Sequence, residues 1–112
     1  MKNNSLNLDS LIRKIAEHYG FTKQSNSTIE ECAELIQALT KYNRAMDAGY
    51  DTPVTLSEAR DRIIEEIADV QVCTAQLIYL LECEDTVYEI MLAKLKRQLG
   101  RIGEAVSHES TP

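Results

Sequence analysis

Two runs of this chain, Glu30-Glu31-Cys32-Ala33-Glu34-Leu35 and Glu65-Glu66-Ile67-Ala68-Asp69-Val70, each carry carboxylates at i and i+3. On a helix that spacing puts Glu31 and Glu34 on one face, and Glu66 and Asp69 likewise. If the two helices pack side by side, the four groups converge. Carboxylates crowded into a poorly solvated place repel one another and lose hydration, so they take up protons unless a strong positive charge sits among them. A divalent cation is the natural candidate, and an all-oxygen ligand set suits a hard ion such as Mg²⁺, with Mn²⁺ as the substitute. Diiron bundles also use facing helices but need Glu-x-x-His pairs, and neither His18 nor His108 follows a Glu at that spacing. A single Glu-x-x-Glu usually decorates a solvated face. Two such pairs at the edges of core-facing stripes are harder to explain that way.

The elements that must position these groups read as helices throughout. Gly and Pro are scarce, and apolar residues recur at three- and four-residue intervals. A first helix is expected over Ser10 to Tyr19, after Asp9 as cap and before Gly20. A second is expected from Ser27, whose pairing with Glu30 has capping-box spacing, to about Ala48. Residues 47–56, with Gly49 and Pro53, form the clearest loop. Thr55 and Glu58 form another box that opens a third helix running to about Cys83. A fourth should begin near Asp85 or Thr86, with Thr86 and Glu89 as its box, and end near Gly103. The whole is a single all-α domain over 1–103 followed by a flexible tail, 104–112.

Taking about 100° per residue, Glu66 and Asp69 share a strip with Cys73, Leu77 and Leu80 on the third helix. Glu65 lies off that strip. On the second helix the core stripe is Cys32, Leu35, Ile36, Leu39 and Met46, with Glu31 at its border and Glu34 just beyond. Glu30, Lys41 and Arg44 fall nearer solvent. The fourth helix lines up Lys94, Arg97 and Arg101 at i, i+3 and i+7. Three cations on one strip can hold phosphate oxygens, Arg through paired hydrogen bonds and Lys as a point charge. Cations near a helix C-terminus are also favoured by the helix dipole alone, and the spacing leaves both readings open.

The chain has 112 residues, a net charge of −6 and a pI near 4.9. That balance argues against binding to nucleic acid polymers or anionic membranes, while a bound metal and a local basic strip can still attract a phosphorylated ligand. Three cysteines, Cys32, Cys73 and Cys83, lack zinc-site spacing and read as buried free thiols in a reducing compartment. The longest uncharged run, Val70 to Leu81, is 12 residues, against about 20 for a membrane span. No apolar signal-peptide core follows Met1, so a soluble cytoplasmic protein is expected. The third helix is apolar over most of its circumference, which predicts self-association to cover it.

Over roughly Tyr19 to Arg101 the chain resembles the MazG-like all-α nucleoside triphosphate pyrophosphohydrolases. The matching residues are Tyr19-Gly20, Gln24, the runs 30–35 and 65–70, Gln76-Leu77, and Lys94, Arg97 and Arg101. The resemblance implies a four- to five-helix bundle completed as a homodimer or homotetramer. It further implies Mg²⁺-dependent hydrolysis between the α- and β-phosphates of a nucleotide, giving the monophosphate and pyrophosphate. Carried over by position, Glu31, Glu34, Glu66 and Asp69 would be catalytic metal ligands, and Lys94, Arg97 and Arg101 would contact phosphates. The thirty-one residues between Glu34 and Glu66 are a long interval for the 47–56 loop to absorb. His18, Tyr19 and Phe21 read either as nucleobase contacts or as core anchors. Alternative functions on the same fold are a non-catalytic helical interaction protein and a phosphoribosyl-ATP pyrophosphohydrolase.

Overall fold

The computed structural model describes residues 7–47 and 54–110, and within them every regular element is a helix. They are α1, Leu8–Met46, α2, Leu56–Leu81, and α3, Glu84–Ser110. The chain divides into two units, Met1–Leu81 and Glu82–Pro112, which are described separately.

Asn7, not Asp9, caps α1: its Oδ1 accepts the Ser10 N–H at 2.8 Å. Asp9 instead sits in the first turn, where its charge suits the helix dipole, and pairs with Arg13 at 3.2 Å. The predicted stop at Gly20 is a real break, with φ 82° and ψ 173°. Only a residue without a Cβ adopts that conformation at little cost. A Cβ there would meet nothing within 4 Å, so the backbone angle, not space, demands glycine. The helix resumes at once at Phe21. Ser27 and Glu30 are therefore interior to α1, and the capping box expected of them has no helix start to cap. The expected end at Ala48 lies outside the described residues; α1 closes at Met46, with the Asp47 N–H donating to the Arg44 carbonyl at 3.1 Å.

The box at the start of α2 forms in full. The Thr55 N–H donates to Glu58 Oε1 at 2.9 Å, and the Glu58 N–H donates to Thr55 Oγ1 at 3.1 Å. The Thr55 backbone N–H first, and the Thr55 side chain after it, hold the Glu58 carboxyl below its ordinary range. The end of α2 comes at Leu81, short of the expected Cys83, because Glu82 turns to φ 52°. Since α3 begins at Glu84, Thr86 is already inside the helix and cannot cap it. The expected stop at Gly103 is also overridden, and α3 continues to Ser110. An interior glycine costs a helix about 1 kcal/mol without breaking it, and no proline intervenes before Pro112.

Within the first unit α1 and α2 pack together through small residues. Ala16, Ala38 and Ala59 are buried, and with them the polar Gln24, Glu66 and Gln76. Glu66 is the largest fully buried side chain among the described residues, an inversion of ordinary core composition. The amide Nε2 of Gln24 donates to Oε1 of Gln76 across the helix pair. The limb before Gly20 is tied to the far end of α2 by a Tyr79 hydroxyl bond to Glu17, and Arg13 lies 5.5 Å from the Tyr79 ring centre.

The apolar stripe expected on the second predicted helix is not a core. Leu35 is half-buried, but Ile36, Leu39, Met46 and Cys32 are exposed, while on the same helix Ala16, Gln24 and Ala38 are the buried positions. On α2 the expected strip does face inward: Glu66 is buried, and Asp69, Cys73, Leu77 and Leu80 are half-buried. All three cysteines are free, Cys73 and Cys83 half-buried and Cys32, against expectation, exposed. Among the described residues no helix is long and apolar enough to cross a membrane.

Candidate metal centre

Glu31 and Glu34 lie about one turn apart on α1, opposite Glu66 on α2. One carboxylate oxygen from each lies within 4.8 Å of the other two. Of the four groups predicted to converge, three do. Asp69 stands beside the trio and outside that mutual reach, close enough for its charge to raise the pKa of both Glu31 and Glu66.

Glu66 is the most constrained member. It is 1% exposed, and neither of its oxygens has a hydrogen-bond partner among the described residues. Burial pushes its carboxyl up to about 7, helped by the adjacent Asp69 carboxyl and by Glu34, with Arg62 opposing. Glu31 is also raised, by burial first and then by Asp69, Glu34 and Glu30. Half-buried Cys73 borders the same acids, since after burial the largest influence raising its thiol pKa is Glu31.

Arg62 was absent from the predicted site and is central to the observed one. Its Nη2 lies 3.0 Å from Glu66 Oε2 and 3.3 Å from Glu34 Oε1, while Nη1 lies 3.3 Å from Glu65 Oε1. A signal for it existed in the sequence. Arg62 is four residues before Glu66 and falls on the strip that carries Glu66, Asp69 and Cys73, so helix geometry alone aims its stem at the acids. It also draws in Glu65, which lies off that strip.

Three carboxylates against one guanidinium leave a negative excess, carried by oxygen donors only. That donor set, with both oxygens of a buried Glu66 lacking hydrogen-bond partners among the described residues, fits a hard divalent cation better than a soft or nitrogen-preferring one. Lys94, Arg97 and Arg101 are exposed along one face of α3, in the second unit. Tyr19 and Phe21 are about half exposed, at 49% and 47%, so they are not core anchors. The Tyr19 ring meets His18 edge-on at 4.7 Å, and Lys23 Nζ lies 5.3 Å from its centre. A shallow concavity of about 490 Å³ lies beside it, lined by Tyr19, Thr22, Lys23, Asn26, Ser27 and Glu30. Comparison with known proteins found no match to a protein-family model, to a curated protein or to a solved structure.

Proposed function

We propose that this chain is a Mg²⁺-dependent nucleotide pyrophosphohydrolase, cleaving the α–β phosphate bond of a nucleoside triphosphate to release the monophosphate and pyrophosphate. One observation carries the reading: a fully buried Glu66, its oxygens without a hydrogen-bond partner among the described residues and offset only by the half-exposed Arg62, faces Glu31 and Glu34 across the α1–α2 interface. A half-exposed guanidinium returns only part of the cost of burying that carboxylate, and a chain selected only for stability does better with an apolar side chain there. A cation-binding duty gives the charge a reason to be kept.

In this reading Glu31, Glu34 and Glu66 hold the ion, Mg²⁺ or Mn²⁺. A bound ion would supply Lewis-acid neutralisation of phosphate charge at that place. Asp69, beside the trio, orients the attacking water and accepts its proton. Lys94, Arg97 and Arg101 are the proposed phosphate contacts on α3. The protein works in the cytoplasm as a homodimer or homotetramer, in which Ile29, Ile36, Ile64 and other exposed apolar side chains of the first unit become covered.

The test is a panel of canonical and modified nucleoside triphosphates with pyrophosphate detection under Mg²⁺ titration. Release from at least one nucleotide, strictly dependent on metal, is the expected result. Folded protein inactive on the whole panel sinks the proposal.

A second reading, a non-catalytic helical interaction protein, draws on a different observation. Arg62 already supplies a cation to Glu34 and Glu66, so a lapsed site can persist without metal. The two readings part on one measurement: a melting temperature indifferent to Mg²⁺ and Mn²⁺ favours the second.

A further inference from the structure

Arg62 does not belong to the carboxylates alone. It also lines a cavity of about 250 Å³ together with Ala38, Lys41, Val54, Glu58 and Ala59. Lys41, on the α1 wall, makes no ion pair among the described residues. Glu58, the one carboxylate on that lining among the described residues, is bound back to the Thr55 N–H at the start of α2. Two cations therefore border a hollow next to the acidic trio, Lys41 without an ion pair among the described residues and Arg62 held by Glu34, Glu65 and Glu66.

Arg62 is also half exposed, and among the described residues its head group is held by ion pairs alone. A guanidinium on a flexible stem exchanges between anions at little cost, and its planar fork suits phosphate as well as carboxylate. A divalent ion among Glu31, Glu34 and Glu66 would compete with Arg62 for the same oxygens.

Resting on the metal-centre reading above, we propose that the Lys41–Arg62 cavity is an anion subsite for a phosphate or diphosphate group, and that Arg62 is its switch. Without metal, Arg62 neutralises Glu34 and Glu66. Once metal takes that place, the guanidinium is released and joins Lys41 on the phosphate. Arg62 thereby couples metal and anion binding: each ligand relieves Arg62 of the other's site, so each tightens the other. This assigns phosphate recognition to the first unit, in addition to the α3 cations.

The experiment measures Mn²⁺ affinity by electron paramagnetic resonance at about pH 8, where the carboxylates are largely ionised. Beside it, ³¹P relaxation of inorganic phosphate is followed as protein-bound Mn²⁺ is added, with wild type, Arg62→Gln, Arg62→Lys and Lys41→Gln, each first checked for an intact helical circular dichroism signal. Removing the competing cation should tighten Mn²⁺ about fivefold in Arg62→Gln, the scale of a half-exposed ion pair, with Arg62→Lys in between. Lys41→Gln should leave Mn²⁺ affinity unchanged. The relaxation of phosphate by bound Mn²⁺, present in wild type, should fall about fivefold or more in both Arg62→Gln and Lys41→Gln. Unchanged or weakened Mn²⁺ binding in Arg62→Gln overturns the switch, and phosphate relaxation untouched in either Gln variant overturns the subsite. Folded wild-type protein that binds no Mn²⁺ is a separate result, since it removes the metal centre itself and this inference with it.

Discussion

The Arg62 guanidinium lies 3.0 Å from a Glu66 carboxylate that is only 1% exposed, four residues further along α2. The cation is half in water and the anion is fully out of it, so the pair is unequal. Solvent screens Arg62 and weakens what it can return, whereas Glu66 bears nearly the whole cost of burial. The carboxyl responds by holding its proton to about pH 7.

That shift has a sign. The native state of Glu66 binds a proton that the unfolded chain gives up between its ordinary value of 4.5 and about 7. Its contribution to stability is therefore fully present below 4.5 and is lost as pH rises through about 7. In chelator, the melting temperature of Glu66→Gln should match wild type near pH 4.5 and exceed it at about pH 8, because the amide cannot ionise. Equal melting temperatures at both pH values contradict the assignment.

Metal should reverse the penalty. If Mg²⁺ or Mn²⁺ binds the native trio, stability rises by RT ln(1 + [L]/Kd), about 2.7 kcal/mol at a hundredfold excess over Kd. Differential scanning fluorimetry should show this rise in wild type at about pH 8 and none in Glu66→Gln. Nucleotide turnover in Glu66→Gln should fall by roughly two to three orders of magnitude, the loss of a ligand to the catalytic ion. An active variant removes Glu66 from the mechanism.

The buried amide pair is a structural prediction independent of any activity. Gln76→Leu strands the Gln24 amide in the α1–α2 interface, and an unpaired buried polar group costs about 1–3 kcal/mol. Replacing Gln24 by Leu as well should recover most of that loss in urea denaturation. Additive losses in the double variant would show that the two amides are not coupled.

Thr55→Ala removes a hydroxyl that accepts the Glu58 N–H at the start of α2. The expected cost is about 1 kcal/mol, seen as a lowered urea midpoint with an unchanged slope. Because the box holds the Glu58 carboxyl below its ordinary range, its benefit is present above 4.5 and fades as pH falls through the lowered value. The gap between Thr55→Ala and wild type should accordingly narrow in acid.

Ile29 and Ile36, seven residues apart and each 64% exposed, lie on one strip of α1 with Cys32 between them. Sedimentation at micromolar concentration should give a mass above that of one chain, and Ile36→Asp should lower it. A strict monomer in wild type removes the proposed dimer or tetramer.

Local chemistry was legible in the sequence. The Thr55–Glu58 box, the break at Gly20 and the inward strip of Glu66, Asp69 and Cys73 depend on neighbours within a turn or two, and each appears as read. The failures share a cause. Ser27 looked like a helix start because its box spacing was right, yet continuing the helix from Phe21 satisfied the same backbone groups without a cap. Gly103 looked like a stop, but one glycine is too weak a breaker to end a helix alone.

By itself the sequence determined that the chain is helical and that acidic pairs ride on the edges of two helices, because periodicity and i,i+3 spacing are local properties. Only the tertiary structure decided that the fully buried apolar positions are alanines while the larger apolar residues stay partly or wholly exposed, and that Glu66 is the side chain driven fully inside. Only it decided that Asp69 stands beside a trio instead of completing a quartet, and that Arg62 takes a place among the acids. Those outcomes turn on how closely two helices approach and in what register, and that depends on every residue along the contact.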